Sequence, residues 1–157
     1  MLIDTHCHLN MMIKPEFDVP LKELAVSRAQ KIITQAAADD VSILINVGTS
    51  LIESKNSVML AKEFDHVFAT VGIHPNDCNE QWRTDFTELT QMVRNHATLK
   101  IVGIGECGID RHYPEYNLQR QYDAFKAHIE LALTHNLALV IHSRDAYDET
   151  LRTLEEY

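Results

Sequence analysis

The chain has 157 residues, a formal net charge of −9, 45% hydrophobic and 24% charged residues and only 5 Gly and 4 Pro, which excludes disorder and collagen-like order and fits one globular domain. No apolar run approaches the roughly 18 residues that span a bilayer, the start MLIDTHCHL lacks a signal peptide's basic and apolar regions, and three Cys without a CxxC pair argue against a disulfide framework; a reduced, cytoplasmic protein with no membrane partner is expected. The excess of 23 Asp+Glu over 14 Lys+Arg excludes broad coating of nucleic acid, yet it permits a polyanion held at one metal-charged spot.

Short β-branched runs predict strands at Leu2–His6, Ser42–Val47, Val67–Ile73, Lys100–Glu106 and Ala138–His142. Helix-length periodic segments lie between them at Leu21–Ala38, Leu51–Phe64, Phe86–His96 and Leu118–His135, and a last helix begins near Asp145. In the fourth, Asn117 can cap while Leu118, Tyr122, Phe125, Ile129 and Leu133 recur at intervals of three and four, giving one stripe toward a sheet. Leu9–Pro20 is the longest irregular segment. Strand–helix alternation without a linker or repeat predicts one α/β domain with a parallel sheet. The pattern fits an open doubly wound sheet or a closed barrel, and the lack of a GxGxxG or GKS/GKT loop weakens the nucleotide-binding open sheet.

Nine His is an unusual count, and several stand at strand ends. Four polar clusters fall at the carboxyl ends of predicted strands: Asp4–His8, Gly72–Pro75, Gly105–Asp110 and Ile141–Asp145. Loops converge on one crevice at that edge in α/β folds. His6 and His8, two apart on a strand, point the same way and can grip one ion, with Cys7 turned to the other face. Glu106 ends an apolar run, where a carboxylate is costly to bury unless a cation or donors meet it. His142 closes Leu139-Val140-Ile141 in the same manner. Together they match an N/O site for Zn²⁺, Mn²⁺ or a similar ion, and a shared Glu allows two. Cys107 is expected to be buried and inert, and Cys78 to be exposed in a polar loop. His66, His96, His112, His128 and His135 are expected mostly in solvent.

DTHCHL, VGIHP, IGECGID and IHSRDA, in this order and spacing, resemble the TatD family of metal-dependent hydrolases, within the amidohydrolase-like (β/α)8 TIM-barrel group. The resemblance implies that His6 and His8 bind one metal, that Glu106 bridges two and is the catalytic carboxylate, that His142 binds the second, and that His74 and Arg144 are substrate-side. It implies two divalent ions (Zn, Mn or Mg) and hydrolysis of phosphodiester bonds through a metal-activated water, typically as a deoxyribonuclease on DNA. Many relatives have GIHPH where this chain has Gly72-Ile73-His74-Pro75-Asn76, a change from imidazole to amide. Family barrels have eight strands and about 250 residues. Residues 1–157 are therefore expected to form a single partial barrel of about five βα units, stopping within the helix after strand five, with later His and Asp ligands lacking a counterpart. Open sheet edges would then favour self-association. The rival functions are an amide or lactone hydrolase of the same barrel group and a metal-binding fragment without turnover.

Overall fold

The computed structural model describes residues 1–113, 115 and 117–157. Five strands, β1 (Leu2–Cys7), β2 (Val41–Val47), β3 (Val67–Val71), β4 (Ile101–Asp110) and β5 (Ala138–Arg144), alternate with helices α2 (Glu23–Ala38), α3 (Leu51–Glu63), α4 (Trp82–Val93) and α5 (Leu118–His135). A one-turn helix, α1 (Leu9–Met12), follows β1, and α6 (Tyr147–Leu154) follows β5. All pairings are parallel and the strand order is β1-β2-β3-β4-β5. That order resolves the choice left by the pattern. Right-handed crossovers between successive neighbours place every helix on one face of the sheet, as in a barrel wall, whereas a doubly wound sheet reverses its order.

Local chemistry explains the punctuation. Ser50 caps α3 by accepting the Glu53 N–H at 3.1 Å, and Asn117 caps α5 by accepting the Arg120 N–H at 2.9 Å. Asp40, Lys100 and Asn136, all at positive φ, turn the chain from a helix or turn toward β2, β4 and β5. The main core lies between the sheet (Leu44, Val67, Val71, Ile101, Ile104) and α3, α4 and α5 (Leu60, Leu89, Leu131). A smaller cluster joins Cys107, Ile109, Phe125, Ile129 and Ala146. No helix among the described residues is long and apolar enough to cross a membrane.

Several expectations are corrected. Leu9–Pro20 is not wholly irregular, since α1 opens it. β4 runs four residues past Glu106 to Asp110, because Ile109 is buried and pairs onward with β5. Leu133 leaves the α5 stripe at 62% exposure, its place on the buried face taken by Leu131 and Ala132. Cys78 is buried, its thiol pushed up to about 12 by burial. His128 is fully buried on α5, not solvated.

Candidate metal centre

β-Bulges set the site's geometry. Between Asp4 and Cys7, β1 carries one residue more than β2, and between Ile104 and Cys107, β4 carries one more than β5. Such insertions re-aim side chains at strand ends, so the simple alternation assumed for His6 and Glu106 does not hold there. Gly105 and Gly108 flank the carboxylate at positive φ, where a Cβ would run into the Val140 and His142 carbonyls of β5. Only glycine allows β4 to lie this close to β5.

Glu106, 8% exposed, stands at the centre. Its Oε2 lies 3.4 Å from His6 Nε2 and 3.8 Å from His8 Nε2. Its Oε1 lies 3.1 Å from His142 Nδ1 and 4.0 Å from His74 Nε2. Two donor groups result, His6–His8–Glu106 and His74–Glu106–His142, the donor atoms of each within 4.8 Å of one another. The sequence's four ligand candidates thus meet at one end of the sheet. Burial pushes the Glu106 carboxyl up, but the His142 hydrogen bond and the neighbouring imidazoles outweigh it and hold the carboxyl below its usual range.

Hydrogen bonds fix which ring nitrogens face this carboxylate. His8 Nδ1 lies 3.1 Å from the Val47 carbonyl. A carbonyl only accepts, so Nδ1 carries the proton and Nε2 presents a lone pair to the centre. His142 Nε2 donates to Asp110 Oδ2 at 2.9 Å, leaving Nδ1 toward Glu106. A second proton, on Nδ1, would let the ring donate to Glu106 Oε1 at 3.1 Å as well, and this hydrogen bond raises the His142 pKa against the effect of burial, with Asp110 adding to the rise. His74 differs. Its Nδ1 accepts the Asn76 N–H at 3.2 Å, so its proton sits on Nε2, 2.9 Å from His142 Nδ1. Burial, with His142 beside it, lowers its pKa to about 4. The neutral ring therefore offers the centre a hydrogen-bond donor and not a lone pair.

Imidazole and carboxylate atoms in this arrangement suit Zn²⁺ or Mn²⁺, and His6, 42% exposed at its side chain, leaves an entry path. Arg144 is exposed at the end of β5, its guanidinium carbon 5.6 Å over the Tyr113 ring. Arg111, the other cation beside the motif, is ion-paired with Glu149. Asp110 lies within the IGECGID motif, and the pattern alone assigns it no role. The signal was its place four residues beyond Glu106, which returns the side chain to the same face of an extended strand. The Asn76 amide, where relatives are expected to carry His, donates to Asp110 Oδ2 at 3.2 Å.

A single-layered β/α barrel wall with an imidazole–carboxylate cluster at the carboxyl ends of its strands is the framework of a barrel-type metal-dependent hydrolase. The family model "TatD related DNase" matches residues 3–157, and the chain belongs to that family. It is 31% identical over 156 residues to a Bacillus subtilis protein named as the metal-dependent hydrolase YabD, covering 99% of this chain and 56% of that protein. It is 34% identical over 127 residues to a Citrobacter rodentium protein named "3'-5' ssDNA/RNA exonuclease TatD", covering 81% of this chain and 47% of that protein. The crystal structure of the Escherichia coli TatD homologue YJJV superposes with a TM-score of 0.83 at 24% identity, over 99% of this chain and 55% of that one. A hydrolase of the family from Entamoeba histolytica gives 0.82 at 18% identity. These likenesses show the barrel fold. The chain spans about half the length of the curated relatives it matches.

Proposed function

We propose that this chain carries the first βα units, and the first metal ligands, of a divalent-metal-dependent phosphodiesterase acting on DNA in the cytoplasm. The observation behind the reading is the division of Glu106, each oxygen turned to a different pair of histidines. His6 and His8 would hold one ion and His142 a second, with Glu106 available as a ligand to either. A divalent Zn, Mn or Mg ion bound there would supply Lewis acidity and activate a water. The chain's own groups do the rest. His74 Nε2–H donates to a non-bridging phosphate oxygen, Arg144 orients the phosphate by charge-assisted hydrogen bonds, and Asp110 holds His142 in one tautomer.

The test is metal stoichiometry with a substrate panel. The metal-depleted chain, titrated with Mn²⁺ in equilibrium dialysis, should take up two ions, the double variant His6→Ala/His8→Ala one, and Glu106→Ala neither tightly. Reloaded protein should cleave single-stranded DNA in preference to amide or lactone substrates. Uptake unaffected by Glu106→Ala, or cleavage of amides alone, would overturn the reading.

We also propose that the 157-residue chain self-associates through β1 and β5. These are the sheet's edges, and they carry exposed Leu2, Ile3 and Ile141. Light scattering during gel filtration should show a mass above that of the monomer, and a strict monomer at all concentrations would refute it.

A further inference from the structure

We propose that His128, on the helix α5 and remote from the motifs, is a positioning residue for His74. The inference rests on the reading of His74 as a donor to substrate. His128 is fully buried, and a polar ring in such a place is costly unless both nitrogens find partners. They do. The Ala124 carbonyl 2.7 Å from Nδ1 can only accept, so the proton is on Nδ1 and Nε2 keeps its lone pair. That lone pair accepts the Ile73 N–H at 3.0 Å. The Phe86 ring, 4.8 Å away centroid to centroid, packs against the imidazole.

The place of Ile73 gives this bond its meaning. The β3–β4 register ends at Val71–Ile104, so the buried Ile73 N–H lies beyond the ladder that would have received it. Three elements share the hold on the segment that follows. The Gly72 N–H goes to Ser54 Oγ on α3 at 3.1 Å, the Ile73 N–H to His128 on α5, and the His74 N–H to the Thr49 carbonyl after β2 at 2.7 Å. With its backbone held on three sides, His74 presents Nε2 to His142 at 2.9 Å. A Leu at 128 would fill the space but accept nothing. A core-filling role and a positioning role therefore predict different results.

The experiment compares His128→Leu and His128→Gln with the parent, in the metal-free 157-residue chain with ¹⁵N-labelled histidine. Long-range ¹⁵N–¹H spectra read the tautomer of each ring, and amide exchange reads Ile73. The parent should show His74 protonated at Nε2. His128→Leu should lose that single tautomer and exchange the Ile73 amide about tenfold faster or more, as expected for one buried hydrogen bond lost, while the ring signals of His6 and His8 stay in place. His128→Gln, whose side-chain carbonyl can accept the same N–H, should restore both readouts. The proposal is overturned if His74 is unchanged in His128→Leu, if His6 and His8 shift as much as His74, or if Gln behaves like Leu. Because no metal or turnover enters these measurements, failure of the phosphodiesterase reading would appear separately, in the dialysis and cleavage experiments.

Discussion

Asp110 Oδ2 accepts the Nε2 hydrogen of His142 at 2.9 Å from a fully buried position at the end of β4. Burial pushes the Asp110 carboxyl up, but the His112 N–H, His142 and Asn76 together hold it below the usual range, so it stays charged. A charged acceptor behind an imidazole fixes the ring and raises its basicity toward an ion. Asp110→Asn keeps the size and removes the charge. Mn²⁺ affinity of the His142 group should fall about 10–100-fold, with the His6–His8 group unaffected, in the same dialysis titration. Equal affinity in the variant would mean that His142 needs no such support.

A second carboxylate organises the loop after β1. Glu53 stands at the position of a capping-box glutamate, three residues after the cap Ser50, yet its side chain is diverted. It accepts from Lys14 Nζ at 2.5 Å, from Asn10 Nδ2 and the Asp18 N–H at 2.7 Å, and from Asn56 Nδ2 at 3.2 Å. Side-chain exposures are 0% for Glu53 and 7% for Lys14. Glu53→Gln strands a buried ammonium and should cost about 3–5 kcal/mol in urea unfolding. Lys55→Ala, which removes an exposed pair with Glu88, should cost under about 1 kcal/mol. Similar losses in the two variants would contradict this contrast.

The parts of this protein that were legible in the sequence are those set by local pattern. β-Branched runs located all five strands, and the strand-end clusters located Glu106 and its four histidine neighbours, because parallel strands bring their carboxyl ends to one edge whatever the details between. Contacts made across the fold were not legible. His128 reads as a polar residue on an amphipathic helix, and only the approach of Ile73 from 55 positions away makes it a buried acceptor. Glu53 likewise owes its role to Lys14 and Asp18, which reach it from more than thirty positions away. Register was hidden as well: nothing in DTHCHL marks the bulge near His6, and the glycines of IGECGID hint at an irregularity without fixing where the extra residue falls.

Acid should act through His128 at milder pH than through the carboxylates that the fold holds below their usual range, such as Glu53, Glu106 and Asp110. Burial lowers the His128 pKa from 6.5 to about 4, so between these values the unfolded chain binds a proton that the folded chain refuses. Stability therefore rises with pH across that window, and descending through it costs roughly 3 kcal/mol by pH 4. His74, also lowered to about 4, acts in the same direction, so the comparison must isolate one ring. Urea midpoints at pH 7, 6 and 5 should fall more steeply for the parent than for His128→Gln. Parallel slopes would show that the buried ring titrates normally.

Binding of DNA should depend on the centre and not on a basic surface. The net charge of −9 gives a repulsive field at long range, and of the two cations beside the motifs Arg111 is ion-paired with Glu149 while Arg144 lies exposed over Tyr113. Few phosphates can then be neutralised by side chains. The salt dependence of binding by Mn²⁺-loaded protein, followed by fluorescence anisotropy of a labelled single strand, should correspond to about one to three released counterions. Chelator should abolish the signal, because without divalent ions Glu106 and Asp110 present negative charge to the phosphate. Arg144→Gln should weaken binding several-fold and flatten the slope by about one counterion. Binding that survives chelation with a steep salt dependence would place the DNA on another surface of the molecule.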